Sequence, residues 1–142
     1  MDNNKNNSRH VFLSVVLPTY NERENVPKII YQLENFFLDE KIKAEIIVVD
    51  DFSPDGTAEE VKKLQDRFSN IFLISGEKKG IGNAIRRGFS AANGQWLLSM
   101  DAEDPVLVKE IPIFLKEIEK GYELIVGSKY LTGSKYEKKS IV

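Results

Sequence analysis

LLSMDAEDP, residues Leu97 to Pro105, is an apolar run that stops abruptly on a carboxylate. Asp101 ends the run, Glu103 and Asp104 follow, and Pro105 closes the group. The apolar part is strand-length, so the stretch reads as a buried strand that delivers acidic residues to its carboxyl end. Taken alone, the acidic cluster has two readings. Acid-x-acid before a proline is the ordinary start of a helix, and Asp104 suits the N-cap ahead of Pro105. Asp101 and Glu103, two apart at a strand end, can instead point the same way and offer oxygen ligands to a hard divalent cation. Ala102 between them is small enough to let a ligand approach.

Outward from this stretch, strands and helices alternate. Val11 to Leu17 is β-branched and apolar and is ended by Pro18, as expected of a strand buried on both faces. Asn25 and Pro27 start a helix whose apolar positions Ile29, Ile30, Leu33, Phe36 and Phe37 recur at helical spacing. Ala44 to Val49 is a second strand running into Asp50 and Asp51. After the turn SPDG, Thr57 with Glu60 predicts a capping box before a helix carrying Val61, Leu64 and Phe68. Ile71 to Ile74 is a short third strand. Ala84, Ile85, Phe89 and Ala92 mark a helix from Gly82 to a stop at Asn93 and Gly94. Trp96 to Met100 is the fourth strand. Pro112 would break a helix running on from Pro105, so a short turn and then a helix from about Pro112 to Lys120 are expected. Tyr122 to Val126 is read as a fifth strand ended by Gly127.

Such alternation implies right-handed crossovers and a doubly wound α/β domain with a mostly parallel sheet. Residues 11–130 are expected to form it, with 1–10 a disordered lead-in and 131–142 a flexible tail. Ligands of these sheets lie beyond the carboxyl ends of the strands, where strand order reverses. That rim would carry PTYNE after the first strand, DDFSPDGT after the second, DAED after the fourth and GSKY after the fifth. Glu22, Asp50, Asp51, Asp101 and Glu103 would converge there and repel one another unless a cation relieved them. Mg²⁺ typically takes one or two carboxylates plus substrate phosphates, so the implied ligand is a metal-chelated diphosphate. Asp50 and Asp51 can equally be turn formers, Tyr20 suits core or rim, and Gly80 and Gly82 read as loop flexibility and a helix start. The lysines of YEKKS read as a solvated face.

Composition narrows the classes of function. The 142 residues are 42% hydrophobic, enough for one core, and contain no cysteine, which excludes thiol redox chemistry and thiolate metal sites. A formal charge of −2 lacks the basic excess of a nucleic-acid binder. No apolar run approaches the roughly 18 residues of a membrane span, and the first ten residues have no signal-peptide core. The only histidine, His10, falls in the lead-in, so a histidine base in the core is set aside. A cytoplasmic chain, peripheral at a membrane, is the expected location.

Four segments together carry a resemblance: VVLPTYNERENV, EIIVVDDFSPDGTAEEV, KKGIGNAIRRGFSAANGQWLLSMDAE and ELIVGSKY. In this order, from Val11 to Tyr130, they resemble the family 2 glycosyltransferases of GT-A type. Within that family the similarity is to the polyprenyl-phosphate sugar synthases, the dolichyl-phosphate mannosyltransferases among them. The resemblance implies a Rossmann-like nucleotide-sugar binding domain and metal-dependent, inverting transfer from a GDP- or UDP-linked sugar to a polyprenyl phosphate. It further implies that Pro18, Tyr20 and Glu22 hold base and ribose, with Val48 and Asp50 completing the pocket. Asp101 and Glu103 would bind Mg²⁺ or Mn²⁺, with Ala102 at the donor. Lys129 would lie at the diphosphate, and Asp101 and Lys129 would be the catalytic pair. A lipid-phosphate acceptor arrives anionic and does not strictly need a general base.

Four departures qualify the resemblance. Glu103 stands where aspartate is usual, and its extra methylene displaces the carboxylate in a site where Mg²⁺ demands near-ideal geometry. DAEDP runs straight to proline, shortening a polar segment. Lys129 replaces arginine and offers a point charge without a bidentate fork. The chain ends at Val142, so it is expected to be the donor-binding half, lacking the C-terminal acceptor part. The alternative is a non-catalytic nucleotide-sugar binding domain or truncated subunit that needs a partner or a homo-oligomer. A phosphoacceptor signalling domain, with VVDD as its metal pair, fails because a complete strand and helix precede that motif.

Overall fold

A computed structural model describes residues 10–127. The chain divides into two compact units, residues 1–109 and 110–142. In the first, β1 (Leu13–Thr19), β2 (Ala44–Asp50), β3 (Ile71–Ser75) and β4 (Trp96–Ser99) form one four-stranded sheet of order β3-β2-β1-β4. Every pairing is parallel, with Leu13 opposite both Ala44 and Trp96. Between the strands run α1 (Val26–Asp39), α2 (Thr57–Gln65) and α3 (Ile81–Ala91). Right-handed crossovers place α1 and α2 on one face of this strand order and α3 on the other. The doubly wound α/β domain expected from the sequence is therefore present, and its switch point lies between β1 and β4.

Burial on both faces explains the apolar strands. Val16, Ile47 and Val49 pack with Ala84 of α3, joined by Ile74, Phe89 and Ala92. Val15, Leu17, Ile46 and Val48 alternate with these residues and are equally buried, facing the α1 and α2 layer. The α3 layer sits close because Gly88 carries no side chain: a Cβ there would lie 2.3 Å from Val16 Cγ1.

Three sequence expectations differ from the structure. β1 runs two residues past Leu17, through Pro18, rather than ending there. Val16 accepts a bond from Met100 N–H, so residue 18 also faces β4, but β4 pairing stops at Val16 opposite Ser99. The N–H that proline lacks falls where no partner strand needs it. The capping box also does not form: Thr57 is the first residue of α2, and Gly56, at φ 94°, occupies the N-cap. Asp55 takes over, its Oδ1 accepting Thr57 N–H at 3.0 Å and the Thr57 hydroxyl at 2.5 Å.

The third difference concerns residues 110–142. There α4 (Ile111–Glu119) starts one residue before Pro112, after a 3₁₀ turn over Pro105–Glu110, close to expectation. Residues 122–126, read as a fifth strand, are not a strand. Tyr122, Leu124 and Val126 alternate as a strand would, but all three are exposed and no ladder partner pairs with them among the described residues. Alternation supplies propensity, whereas a strand exists only with a neighbour to bond.

Candidate nucleotide-sugar site

The carboxyl ends of β1, β2 and β4 surround one cleft of about 320 Å³. Pro18, Thr19, Tyr20 and Glu22 line it from the β1 end, Asp51 from β2, and Asp101, Ala102 and Glu103 from β4. Lys78, Gly80, Ile81 and Ala84 complete it from the β3–α3 connection and the first turn of α3. The cleft sits at the switch point of the sheet, where backbone ends diverge and leave a crevice.

The loops after β1 and β2 are stitched together by the residues of DDFSPDGT. Asp50 is buried at the end of β2, and Oδ1 accepts the Thr19 hydroxyl at 3.1 Å and the Ser53 hydroxyl at 2.5 Å. Its Oδ2 accepts Ser53 N–H at 3.0 Å, and Ser53 Oγ in turn accepts Asn21 N–H at 2.9 Å. Thr57 Oγ accepts Glu22 N–H at 3.0 Å, while Asp55 Oδ2 accepts Arg23 N–H at 3.1 Å. Desolvation acts to raise the Asp55 carboxyl, but the bonds from Thr57 and Arg23 outweigh it and hold the group below its ordinary value. Glu22 itself accepts from Asn25 Nδ2 at 2.8 Å, which orients its carboxylate at the entry to α1.

Asp51 differs from its neighbour. Its side chain is buried, yet Oδ1 has no hydrogen-bond partner among the described residues. Arg87 Nη1 of α3 lies 3.6 Å away, an ion pair beyond hydrogen-bond distance. Asp51 Oδ1 is therefore compensated by the charge of Arg87 rather than by a hydrogen bond.

At the β4 end, Asp101 and Glu103 are exposed on either side of buried Ala102. Asp104 stands apart, its carbonyl accepting Leu107 N–H at 3.2 Å to open the 3₁₀ turn. Among the described residues, no three His, Cys, Asp or Glu side chains are grouped to hold a metal by themselves. Two cleft carboxylates, Asp101 and Glu103, fit a Mg²⁺-like ion only when ligand phosphates supply further oxygens.

Of the sequence-derived candidates, Pro18, Tyr20, Glu22, Asp101, Ala102 and Glu103 share this cleft. Val48 and Asp50 do not line it: Val48 is fully buried within β2, and Asp50 is spent on Thr19 and Ser53. Lys129 lies outside the described residues. Asp51 was legible only as one of a pair, and Lys78, Ile81 and Ala84 were not singled out as site residues. Alternation along β2 does not reveal which of two adjacent aspartates turns inward, because the strand ends between them.

Residues 14–140 match the family model for Glycosyl transferase family 2. A dolichol-phosphate mannosyltransferase of Pyrococcus furiosus is 35% identical over 125 residues, 88% of this chain and 35% of the relative. A dolichyl-phosphate β-glucosyltransferase of Trichomonas vaginalis is 33% identical over 136 residues, 88% of this chain and 42% of the relative. The chain thus spans 35% to 42% of the length of these two curated relatives. Among solved structures, the mannosyltransferase PcManGT of Pyrobaculum calidifontis, in complex with GDP-Man and Mn²⁺, superposes with a TM-score of 0.60 at 24% identity. That superposition covers 68% of this chain and 28% of the other. The parallel sheet and its flanking helices are those of a GT-A glycosyltransferase fold. With the family model covering the chain from the second residue of β1 onward, this protein belongs to glycosyl transferase family 2.

Proposed function

We propose that this chain carries the donor site of a metal-dependent, inverting glycosyltransferase that moves a sugar from a GDP- or UDP-linked donor to a polyprenyl phosphate. The observation that carries this reading is the gathering of Tyr20, Glu22, Asp51, Asp101, Ala102 and Glu103 in one switch-point cleft. Pro18, Tyr20 and Glu22 hold the base and ribose. Asp50 and Val48 act from beneath, Asp50 by fixing the two loops that present those residues. Ala102 leaves room for the donor, and Asp101 and Glu103 hold Mg²⁺ or Mn²⁺ together with its phosphates. Once bound, that ion stabilises negative charge on the departing nucleoside diphosphate. By the family resemblance Lys129, which lies outside the described residues, would supply a cation to the diphosphate. A phosphate acceptor is already anionic, so its attack does not strictly need a general base.

No helix among the described residues is long and apolar enough to cross a membrane. We place the protein at the cytoplasmic side, peripheral at the bilayer where a polyprenyl phosphate is accessible. The alternative, a non-catalytic nucleotide-sugar binding domain or a truncated subunit that needs a partner, uses the same cleft. The longer reach of Glu103 favours it, since a displaced carboxylate weakens the metal geometry that transfer needs.

The test is calorimetric titration of GDP and UDP, with and without Mn²⁺ or Mg²⁺, into the wild type and Asp101→Ala. Binding strengthened by metal and weakened about tenfold or more in the variant is expected, since a charged ligand contact is worth roughly 1.5–3 kcal/mol. Equal affinity in both proteins, with or without metal, refutes the site. Transfer from the sugar conjugate to a polyprenyl phosphate then separates the enzyme from the binding domain.

A further inference from the structure

Among the described residues, four carboxylates line the cleft against one cation, Lys78. An exposed lysine amid acids ordinarily pairs with one of them, and Lys79 does so with Glu77 at 3.4 Å. Lys78 does not: its Nζ stands 3.6 Å from the centroid of the Tyr20 ring. Its three N–H donors form no hydrogen bond or ion pair among the described residues.

The backbone explains how Lys78 reaches that place. Gly76 N–H bonds to the carbonyl of Asp50 at 3.0 Å, anchoring the start of the connection beside β2. A Cβ on Gly76 would collide with the Arg87 guanidinium, so the chain passes close against α3. Gly80, at φ 88° and ψ 158°, then turns the chain into α3 through a region open essentially to glycine alone. Lys78 is carried between these two fixed points, over the ring of Tyr20.

We infer that Lys78 is a binding residue for the diphosphate of the nucleotide ligand, with the Tyr20 ring as the holding place of its ammonium. The inference rests on the nucleotide-sugar reading above and extends it to a residue on the β3–α3 connection. Magnitudes favour the ligand over the ring. A cation–π contact at an exposed site is worth about two- to fivefold in an equilibrium constant. A charge-assisted bond from an ammonium to a phosphate is worth about tenfold or more. A diphosphate within reach therefore draws the ammonium off Tyr20. The exchange also leaves the ring face to the base or ribose, so one residue pair serves both ends of the ligand.

The experiment compares affinities within one protein, which cancels general effects on the cleft. With Mn²⁺ held constant, a nucleoside and its diphosphate are titrated into the full chain, using guanosine or uridine according to which base the wild type binds. The diphosphate-to-nucleoside affinity ratio is expected to fall about tenfold in Lys78→Ala. In Lys79→Ala, which makes the same change of net charge outside the cleft, it should stay within twofold. Lys78→Arg should restore it. The Lys78 side chain is exposed, so thermal melting of the variant should match the wild type. A ratio in Lys78→Ala within twofold of wild type overturns the role of Lys78 and leaves the nucleotide site standing. A wild type that binds neither nucleoside nor diphosphate overturns both readings.

Discussion

Replacing Glu45 by alanine is expected to destabilise the domain more than any loss at the cleft, although Glu45 lies at the opposite end of β2. Glu45 is buried, and its Oε1 accepts the Ser14 hydroxyl and Asn93 N–H, each at 2.6 Å. Asn93 Nδ2 reaches Oε2 at 3.4 Å, and Ser14 Oγ accepts Gly94 N–H at 2.8 Å. One carboxylate thus ties β1 and β2 to the turn that leads from α3 into β4, the strand that delivers Asp101. Two short bonds to a charged acceptor are together worth about 3–6 kcal/mol. Alanine removes both and strands the fully buried Ser14 hydroxyl, whereas Asn93 is exposed and its amide can turn to water. Glutamine keeps an acceptor at Oε1 and should lose about half as much, because neutral hydrogen bonds are roughly half as strong. Urea unfolding followed by circular dichroism reads both, as does the melting temperature, which should fall by roughly 12 °C or more in Glu45→Ala. A double-mutant cycle with Ser14→Ala isolates the shared bond. Stability of Glu45→Ala within about 1 kcal/mol of wild type would refute the reasoning, since it would mean that water satisfies these groups as well as the carboxylate does.

Gly88→Ala places a methyl 2.3 Å from Val16 Cγ1 and 3.2 Å from Val49 Cγ2, so overpacking should cost about 1–3 kcal/mol by chemical denaturation. An unchanged midpoint would mean that α3 can move off the sheet freely. Burial raises the Glu34 carboxyl, and the bond from Asn70 Nδ2 opposes it only in part. An acid held above its unfolded value of 4.5 contributes stability that is present below that pH and lost as pH rises through the folded value. Glu34→Gln should therefore be more stable than wild type at pH 7 and indistinguishable from it well below pH 4.5, a comparison made by urea titration at both. The opposite order at neutral pH would show that the Asn70 bond outweighs desolvation.

Much of the fold was legible because its signals are local. The helical spacing of Ile29, Ile30, Leu33, Phe36 and Phe37 marks a buried stripe, and all of these but the half-buried Phe36 are buried in α1. The apolar runs ending in Asp50 and Ser99 are short, β-branched or aliphatic, and flanked by turn residues, which is enough to place strands. Order along the chain, strand then helix, implies parallel crossovers without any knowledge of contacts. The order also places LLSMDAEDP at the rim, and with it Asp101, Ala102 and Glu103. The family resemblance rests on the same linear blocks.

What tertiary structure alone decided is which of these residues face each other. Asp50 and Asp51 are indistinguishable as letters, but Asp50 closes onto Thr19 and Ser53 while Asp51 lines the cleft and pairs with Arg87 of α3. Thr57 with Glu60 has the letters of a capping box, and Asp55 wins the cap because the loop brings its carboxylate to the first amide of the helix. Residues 122–126 have the alternation of a strand but, among the described residues, no neighbour that pairs with them. Lys78 looks like one basic residue among several, and only the turn at Gly80 sets it on Tyr20. The reason is common to all four: periodicity and caps are written in residues a few positions apart, whereas pairing, burial of a charge and the lining of a cleft depend on segments tens of residues apart that meet only when the sheet closes.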